Sequence, residues 1–264
     1  MVKIIITGVC GRMGSMILKL ALEDPAFKIS GVTEVAHHPS VGKCAEAVII
    51  GAGNGLIVEG GLAKVIDKGD VVIDFTEPQA TLENFRLAKK KGKAIVIGTT
   101  GLKGKALDEI MKEKNARVVI SPNMSVGMNL MFTMVEKLSK VMKDDYDIEI
   151  FEMHHKLKKD APSGTAMKLK DLVENSAPER KWIEVFGRQG ILGERKKEEL
   201  GIMSLRGGDV VGEHTVMFAG VGERLEITHR AFSRENFARG ALVAARWLVS
   251  QQPGVYSMKD VLGL

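Results

Sequence analysis

The stretch EMHHKLKKDAPSGTA, Glu152 to Ala166, is the most chemically loaded part of the chain. His154 and His155 are adjacent, so on an extended backbone they point to opposite faces and only one need meet a given substrate atom. Lys156, Lys158 and Lys159 add cations. Ser163 has the residue type of a helix N-cap, which leaves the N–H groups of Gly164 and Thr165 at a helix start, open to an anion. Cations, helix start and imidazole together describe a carboxylate site with a proton donor beside it. A substrate that accepts hydride needs a proton at the neighbouring atom, and a His or a desolvated Lys supplies one near neutral pH. Lys158 could instead clamp charge or form a Schiff base. The same residues would also compose a solvated basic loop ahead of a capped helix.

A second constellation opens the chain. GVCGRMG places Gly8, Gly11 and Gly14 at the corner between an apolar run, Val2 to Thr7, and a helical stretch through Leu22. In a dinucleotide-binding corner the first glycine permits the tight turn, the next lets a diphosphate approach the backbone, and the third lets helix and strand pack closely. Free N–H groups at the helix start then meet the phosphates. Glu34 stands 20 residues after Gly14, where an acid at the end of the second strand holds the adenosine ribose diol; otherwise it is an exposed loop carboxylate. Val35 follows where an Arg would help accept a 2′-phosphate, and His37 and His38 could stand in or be ordinary loop residues. NADH is therefore expected to serve at least as well as NADPH. Gly98 to Gly101 and Ser121 to Met124 are further corners at strand ends, facing the nicotinamide half of a cofactor or serving as plain turns.

The elements that must position these residues follow from apolar periodicity and punctuation. Lys28 to Thr33, Val71 to Phe75, Ala94 to Ile97 and Arg117 to Ile120 read as buried strands, with helices at Gln79 to Lys91 and Lys103 to Glu113. Such alternation predicts a parallel, doubly wound sheet. After about Asn123 the rhythm changes to a long helix, Gly127 to Lys143, a strand, Tyr146 to Met153, and a helix, Gly164 to Glu174. Strand candidates at Trp182 to Phe186, Ile202 to Arg206, His214 to Ala219 and Arg224 to His229 predict a second, mixed and largely antiparallel sheet. A closing helix runs from Ser233 through Ser250. The fold class is thus α/β, a Rossmann sheet followed by an α+β domain. The expected division is 1–124 and 125–232, followed by a closing segment, 233–264.

Composition narrows the function classes. The chain has 264 residues, 45% hydrophobic and 27% charged, enough for a large core and too apolar for general disorder. No run approaches the roughly 18 apolar residues of a membrane helix, and no signal-peptide pattern opens the chain, so a cytoplasmic location and no membrane partner are expected. Net charge is +5, but the basic residues are scattered and aromatics are only 5%, too few for base-stacking platforms, so no nucleic-acid partner is expected. With only Cys10 and Cys44, neither a disulfide framework nor a metal site is expected.

The motifs resemble one family over essentially the whole chain, 4-hydroxy-tetrahydrodipicolinate (dihydrodipicolinate) reductase. The likeness rests on GVCGRMG, DFT at Asp74 to Thr76, GTTG at Gly98 to Gly101 and SPNMSVGMN at Ser121 to Asn129. EMHHKLKKDAPSGTA, SLRGGDVVGEHTV and ERLEITHRA complete it. The resemblance implies hydride transfer from NADH or NADPH to the dehydrated form of a cyclic dicarboxylate, giving tetrahydrodipicolinate in lysine and diaminopimelate biosynthesis, by a homotetramer; it implies that 1–124 binds the dinucleotide with 233–264 packing back onto it, and that 125–232 serves substrate binding and oligomerisation. It implies that His154 donates or accepts a proton, that Lys158 is the second donor, and that His155, Ser163, Gly164 and Thr165 bind substrate. Cofactor contacts are implied for Gly8, Val9, Cys10, Gly11, Arg12, Met13, Glu34, Gly98, Thr99, Thr100, Ser121, Pro122, Asn123 and Met124. Val35 stands where many members carry Arg. A semialdehyde dehydrogenase is the nearest rival, but neither cysteine is placed as a nucleophile in the second half; a nucleotide sensor without turnover is a rival of another class.

Overall fold

The computed structural model describes residues 1–47, 49, 55–142 and 145–264, so the expected helix end at Lys143 lies outside the described residues. The chain divides into two compact units, Met1–Val126 with Arg234–Leu264, and Gly127–Ser233. The first is built on a seven-stranded sheet in the order β12-β6-β5-β4-β1-β2-β3. Its strands are β1 (Val2–Thr7), β2 (Phe27–Glu34), β3 (Val58–Gly60), β4 (Val71–Asp74), β5 (Ala94–Ile97), β6 (Arg117–Ile120) and β12 (Gly254–Tyr256). All six pairings are parallel. Helices α1 (Arg12–Glu23), α2 (Pro78–Lys90), α3 (Gly104–Met111), α6 (Glu235–Leu248) and α7 (Met258–Leu262) belong to the same unit. Ile4 to Ile6, Val71 to Ile73 and Ala94 to Ile97 are all fully buried, as strands covered on both faces must be. The three-residue strands β3 and β12 and the short α7 were not foreseen from the sequence.

The second unit carries a five-stranded sheet in the order β11-β10-β7-β9-β8. Its elements are α4 (Val126–Met142, entering from the first unit), β7 (Asp147–His154), α5 (Gly164–Ser176), β8 (Ile183–Val185), β9 (Glu199–Arg206), β10 (Gly212–Ala219) and β11 (Arg224–Ala231). The sheet is mixed, as expected: β10 runs antiparallel to β7 and β11, while β9 runs parallel to β7 and β8. The cause is the connections. The passage through α5 and the long 186–198 loop each carry the chain back to the same end of the sheet, whereas tight turns reverse it between β10 and β11.

Register makes this sheet informative. Phe218, Ile148 and Leu200 form one rung on the face turned to α5, and Val216, Ile150 and Ile202 form the next. These six side chains are at most 1% exposed. The following rung is His214, Glu152 and Ser204, and after it His154 faces Arg206. One pleated face thus changes from hydrocarbon to ionisable groups at the carboxyl end of β7.

Candidate active site

Glu152 is the anchor of the second unit's site. Its carboxylate is 1% exposed and accepts two bonds from Arg206, to Oε2 and Oε1, each 2.8 Å long. Ser163 N–H donates to Oε1 at 3.1 Å, and His154 Nδ1 lies 2.6 Å from Oε2. Burial pushes this carboxyl up, but the hydrogen bonds from Arg206 and His154 outweigh it and bring it down to about 2. Glu152 is therefore ionised at neutral pH. A ring nitrogen that close to a carboxylate carries the proton, which leaves Nε2 as the reactive nitrogen of neutral His154. Burial holds His154 below the usual imidazole range against the opposing pull of Glu152.

Gly212 on the neighbouring strand leaves room for that ring, since a Cβ there would sit 3.0 Å from Nε2. His214 packs edge-on against His154, 5.2 Å between ring centres, and its Nε2 lies 3.0 Å from Ser163 Oγ. Ser163 Oγ accepts from Ala166 N–H at 3.1 Å and so caps α5. The first N–H groups of α5, on Gly164 and Thr165, have no intrahelical acceptor, and the space beside Gly164 is open. Lys158 Nζ donates to both oxygens of Asp160 at 2.8 and 2.9 Å. His155 Nδ1 is buried without a hydrogen-bond partner. Thus His154, Ser163 and the start of α5 share one local network through Glu152, while Lys158 is tied to Asp160.

Burial pushes the His214 imidazole down to about 3, with repulsion from His154 adding to it. An unfolded chain takes up this proton below about 6.5, while the folded chain resists until about 3. Stability is accordingly complete above pH 6.5 and declines by roughly 1.4 kcal/mol per unit as pH falls toward 3. His214→Gln shows a shallower decline between pH 7 and about pH 4.5 in urea midpoints; a slope equal to that of the unaltered chain overturns this account.

In the first unit, Gly8 adopts φ +61°, and a Cβ on Gly14 would lie 2.2 Å from Gly8 O, so this corner closes only on glycine. Gly11 caps α1 without a side-chain bond, leaving the amides of Arg12 and Met13 at a bare helix start. Val9 is a core residue, fully buried, and Cys10 N–H is taken by Glu34 Oε1 at 2.8 Å. Gly8, Gly11, Glu34 and Thr76 line a cavity of about 750 Å³.

Asp74, fully buried, was not singled out from the sequence for a role. Its Oδ1 accepts from Thr76 N–H and from the hydroxyls of Thr76, Thr81 and Thr99, and its Oδ2 accepts from Asn84 Nδ2 at 2.6 Å. The carboxylate ties the ends of β4 and β5 to α2. Thr99, Thr100 and Pro122 line a separate cavity of about 420 Å³. Gly98 N–H is bound by Asp74 O, and Ser121 Oγ donates to Asn123 O at 2.7 Å. Met124 belongs to the core: its side chain is 1% exposed and its carbonyl abuts Gly240.

Sequence reasoning also passed over Glu152, Arg206 and His214 as individual residues. The signal was available for two of them: Glu152 and His214 occupy core-facing positions in the period-2 pattern of their strands.

Comparison with known proteins agrees along the whole length. A family model described as dihydrodipicolinate reductase, N-terminus, matches residues 2–124, and its C-terminus partner matches residues 127–262. The 4-hydroxy-tetrahydrodipicolinate reductase of Syntrophus aciditrophicus is 46% identical over 265 residues, covering 100% of this chain and 99% of that protein. That of Desulfotalea psychrophila is 49% identical over 269 residues, covering 100% and 99%. Among solved structures, the dipicolinate-bound dihydrodipicolinate reductase of Paenisporosarcina sp. TG-14 superposes with a TM-score of 0.79 at 24% identity, over 98% of this chain and 99% of that one.

Proposed function

Because the chain belongs to the dihydrodipicolinate reductase family, we propose that it reduces dehydrated 4-hydroxy-tetrahydrodipicolinate to tetrahydrodipicolinate with NAD(P)H, in lysine and diaminopimelate biosynthesis. The first unit binds the dinucleotide and the second binds the diacid. The observation that carries this reading is the Glu152–His154 pair at the end of β7, beside the bare helix start of Gly164 and Thr165.

Nicotinamide, when bound, supplies the hydride. The glycine corner fits the group, since its amides and the tight Gly8–Gly14 contact leave a cradle that a side chain would fill. Glu34 receives the ribose hydroxyls, and the corners at Gly98 to Thr100 and Ser121 to Asn123 border the nicotinamide end. In the second unit, the amides of Gly164 and Thr165 hold a substrate carboxylate, and His155 Nδ1 has an unused hydrogen-bonding position for substrate. Loss of water requires a proton on the departing hydroxyl, and reduction requires one beside the carbon that takes hydride. His154 Nε2 and Lys158 Nζ are the two donors. Glu152 fixes the His154 tautomer and stabilises its cationic form, and Asp160 holds the Lys158 Nζ through two hydrogen bonds.

On the second sheet, Phe151, Met153, Met203, Leu205 and Met217 share the face away from α5 and are partly exposed. This supports assembly of the enzyme through that face as a homotetramer.

Oxidation of NADH, then NADPH, with freshly generated substrate from the preceding step tests the reading. Turnover is expected with both, with NADH at least as good, because Val35 supplies no cation for a 2′-phosphate. A preference for NADPH beyond about tenfold in kcat/KM, roughly 1.4 kcal/mol, overturns the Glu34 and Val35 argument. Pyridine-2,6-dicarboxylate, the ligand of the Paenisporosarcina relative, is expected to compete with substrate. Failure to inhibit at millimolar concentration overturns the carboxylate site at Gly164 and Thr165.

A further inference from the structure

The sequence holds too few cysteines for a cysteine-rich metal site, yet the fold gathers three different ligand types at one point of the first unit. Cys10 in the glycine corner, Glu34 at the end of β2 and His38 in the following turn bring a sulfur, a carboxylate oxygen and an imidazole nitrogen within 4.8 Å of one another. All three are half-buried. Two successive turns make the arrangement, His38 N–H bonding Val35 O at 2.9 Å and Val41 N–H bonding His38 O at 3.0 Å. Glu34 is held against the loop by Cys10 N–H.

We propose that Cys10, Glu34 and His38 form a site for a divalent ion of the zinc class, and that the ion and the dinucleotide exclude one another. Mixed S, N and O ligands with an open fourth position suit tetrahedral Zn²⁺ or Co²⁺, and not the all-oxygen shells that Mg²⁺ and Ca²⁺ require. The charges close as well: thiolate and carboxylate together neutralise a divalent ion. Binding exchanges the Cys10 Sγ–H bond for an Sγ–metal bond, and the proton leaves to solvent. The ion also costs His38 its bond from Ser40 N–H, long at 3.2 Å. That bond is lost whichever ring nitrogen the ion takes, because Nδ1 then either gives its lone pair to the metal or carries the proton. Exclusion follows from Glu34, and rests on its reading as the ribose acceptor: a carboxylate engaged by a metal cannot also receive two ribose hydroxyls.

The test is titration of the reduced, metal-free protein with Co²⁺ in a phosphine reductant. One equivalent is expected to give tetrahedral visible bands and a thiolate-to-cobalt charge-transfer band. Cys10→Ser abolishes the charge-transfer band, and His38→Gln weakens binding by about 100-fold, since even outer-shell losses cost roughly 10- to 100-fold. NADH releases the bound cobalt in proportion to its occupancy. Absence of the thiolate band, or its survival in Cys10→Ser through Cys44, overturns the site. Bound cobalt that saturating NADH leaves in place overturns the exclusion. NADH binding to metal-free protein is measured separately by its fluorescence: failure there removes the Glu34 ribose reading, while the cobalt bands still decide the metal site.

Discussion

Replacing His154 with alanine lowers kcat by about 10² to 10⁴, and Lys158→Ala does the same, while NADH affinity stays nearly unchanged. That range corresponds to about 3 to 5.5 kcal/mol of barrier and is the usual worth of a positioned acid or base. The separation between turnover and cofactor binding follows from position. His154 and Lys158 belong to the unit Gly127–Ser233, and the glycine corner and Glu34 belong to the other. Neither substitution leaves a buried charge unpaired, because Glu152 keeps both bonds from Arg206 and Asp160 is exposed. Stopped-flow turnover with NADH, paired with cofactor titration by fluorescence, checks the prediction. Undiminished turnover in both variants would retire the catalytic assignment and favour a nucleotide-binding protein without turnover.

Glu152→Gln has the second large effect, and it falls on both stability and rate. The substitution puts an amide N–H₂ in place of one oxygen, against either Arg206 and His154 N–H or Arg206 and Ser163 N–H, and removes the charge that balances Arg206. Breaking a buried pair in this way costs about 3 to 5 kcal/mol. The pH dependence supplies an independent reading. The folded carboxyl titrates near 2 and the unfolded one near 4.5, so the contribution is complete above 4.5 and disappears as pH falls through 2. That interval is worth about 3 kcal/mol, and Glu152→Gln flattens it. kcat drops by about 10²-fold as His154 loses its fixed tautomer. Denaturant unfolding from pH 7 to pH 2 and the kcat pH profile read the two effects separately. A variant as stable as the parent would show that the carboxylate is not the anchor of this rung.

The contrast between what could and could not be read from the sequence has physical causes. Gly8, Gly11, Gly14 and Glu34 were legible because their meaning is local: one turn, one helix start and a fixed distance along one βαβ unit. The segment from His154 to Thr165 was legible for the same reason. Arg206 was not, since it meets Glu152 only through the β7–β9 register, which depends on how two long connections return the chain. Asp74 escaped notice because an acid at a strand end looks like surface until Thr81, Asn84 and Thr99 are seen to close over it. β3 and β12 span three residues each, too few for any period to show. Cys10 and His38 lie too far apart in sequence for their spacing to suggest a common ligand.

The first unit is made from two separated stretches of chain, and this governs the order in which the protein matures on the ribosome. Residues 1–126 emerge first but lack α6, whose Ala238, Ala241, Ala244 and Ala245 fill the core beside β4 and β5, and lack the edge strand β12. The first unit must therefore wait, with apolar surface showing, until residues 234–264 have been synthesised, whereas the intervening unit is complete as soon as Ser233 clears the exit tunnel.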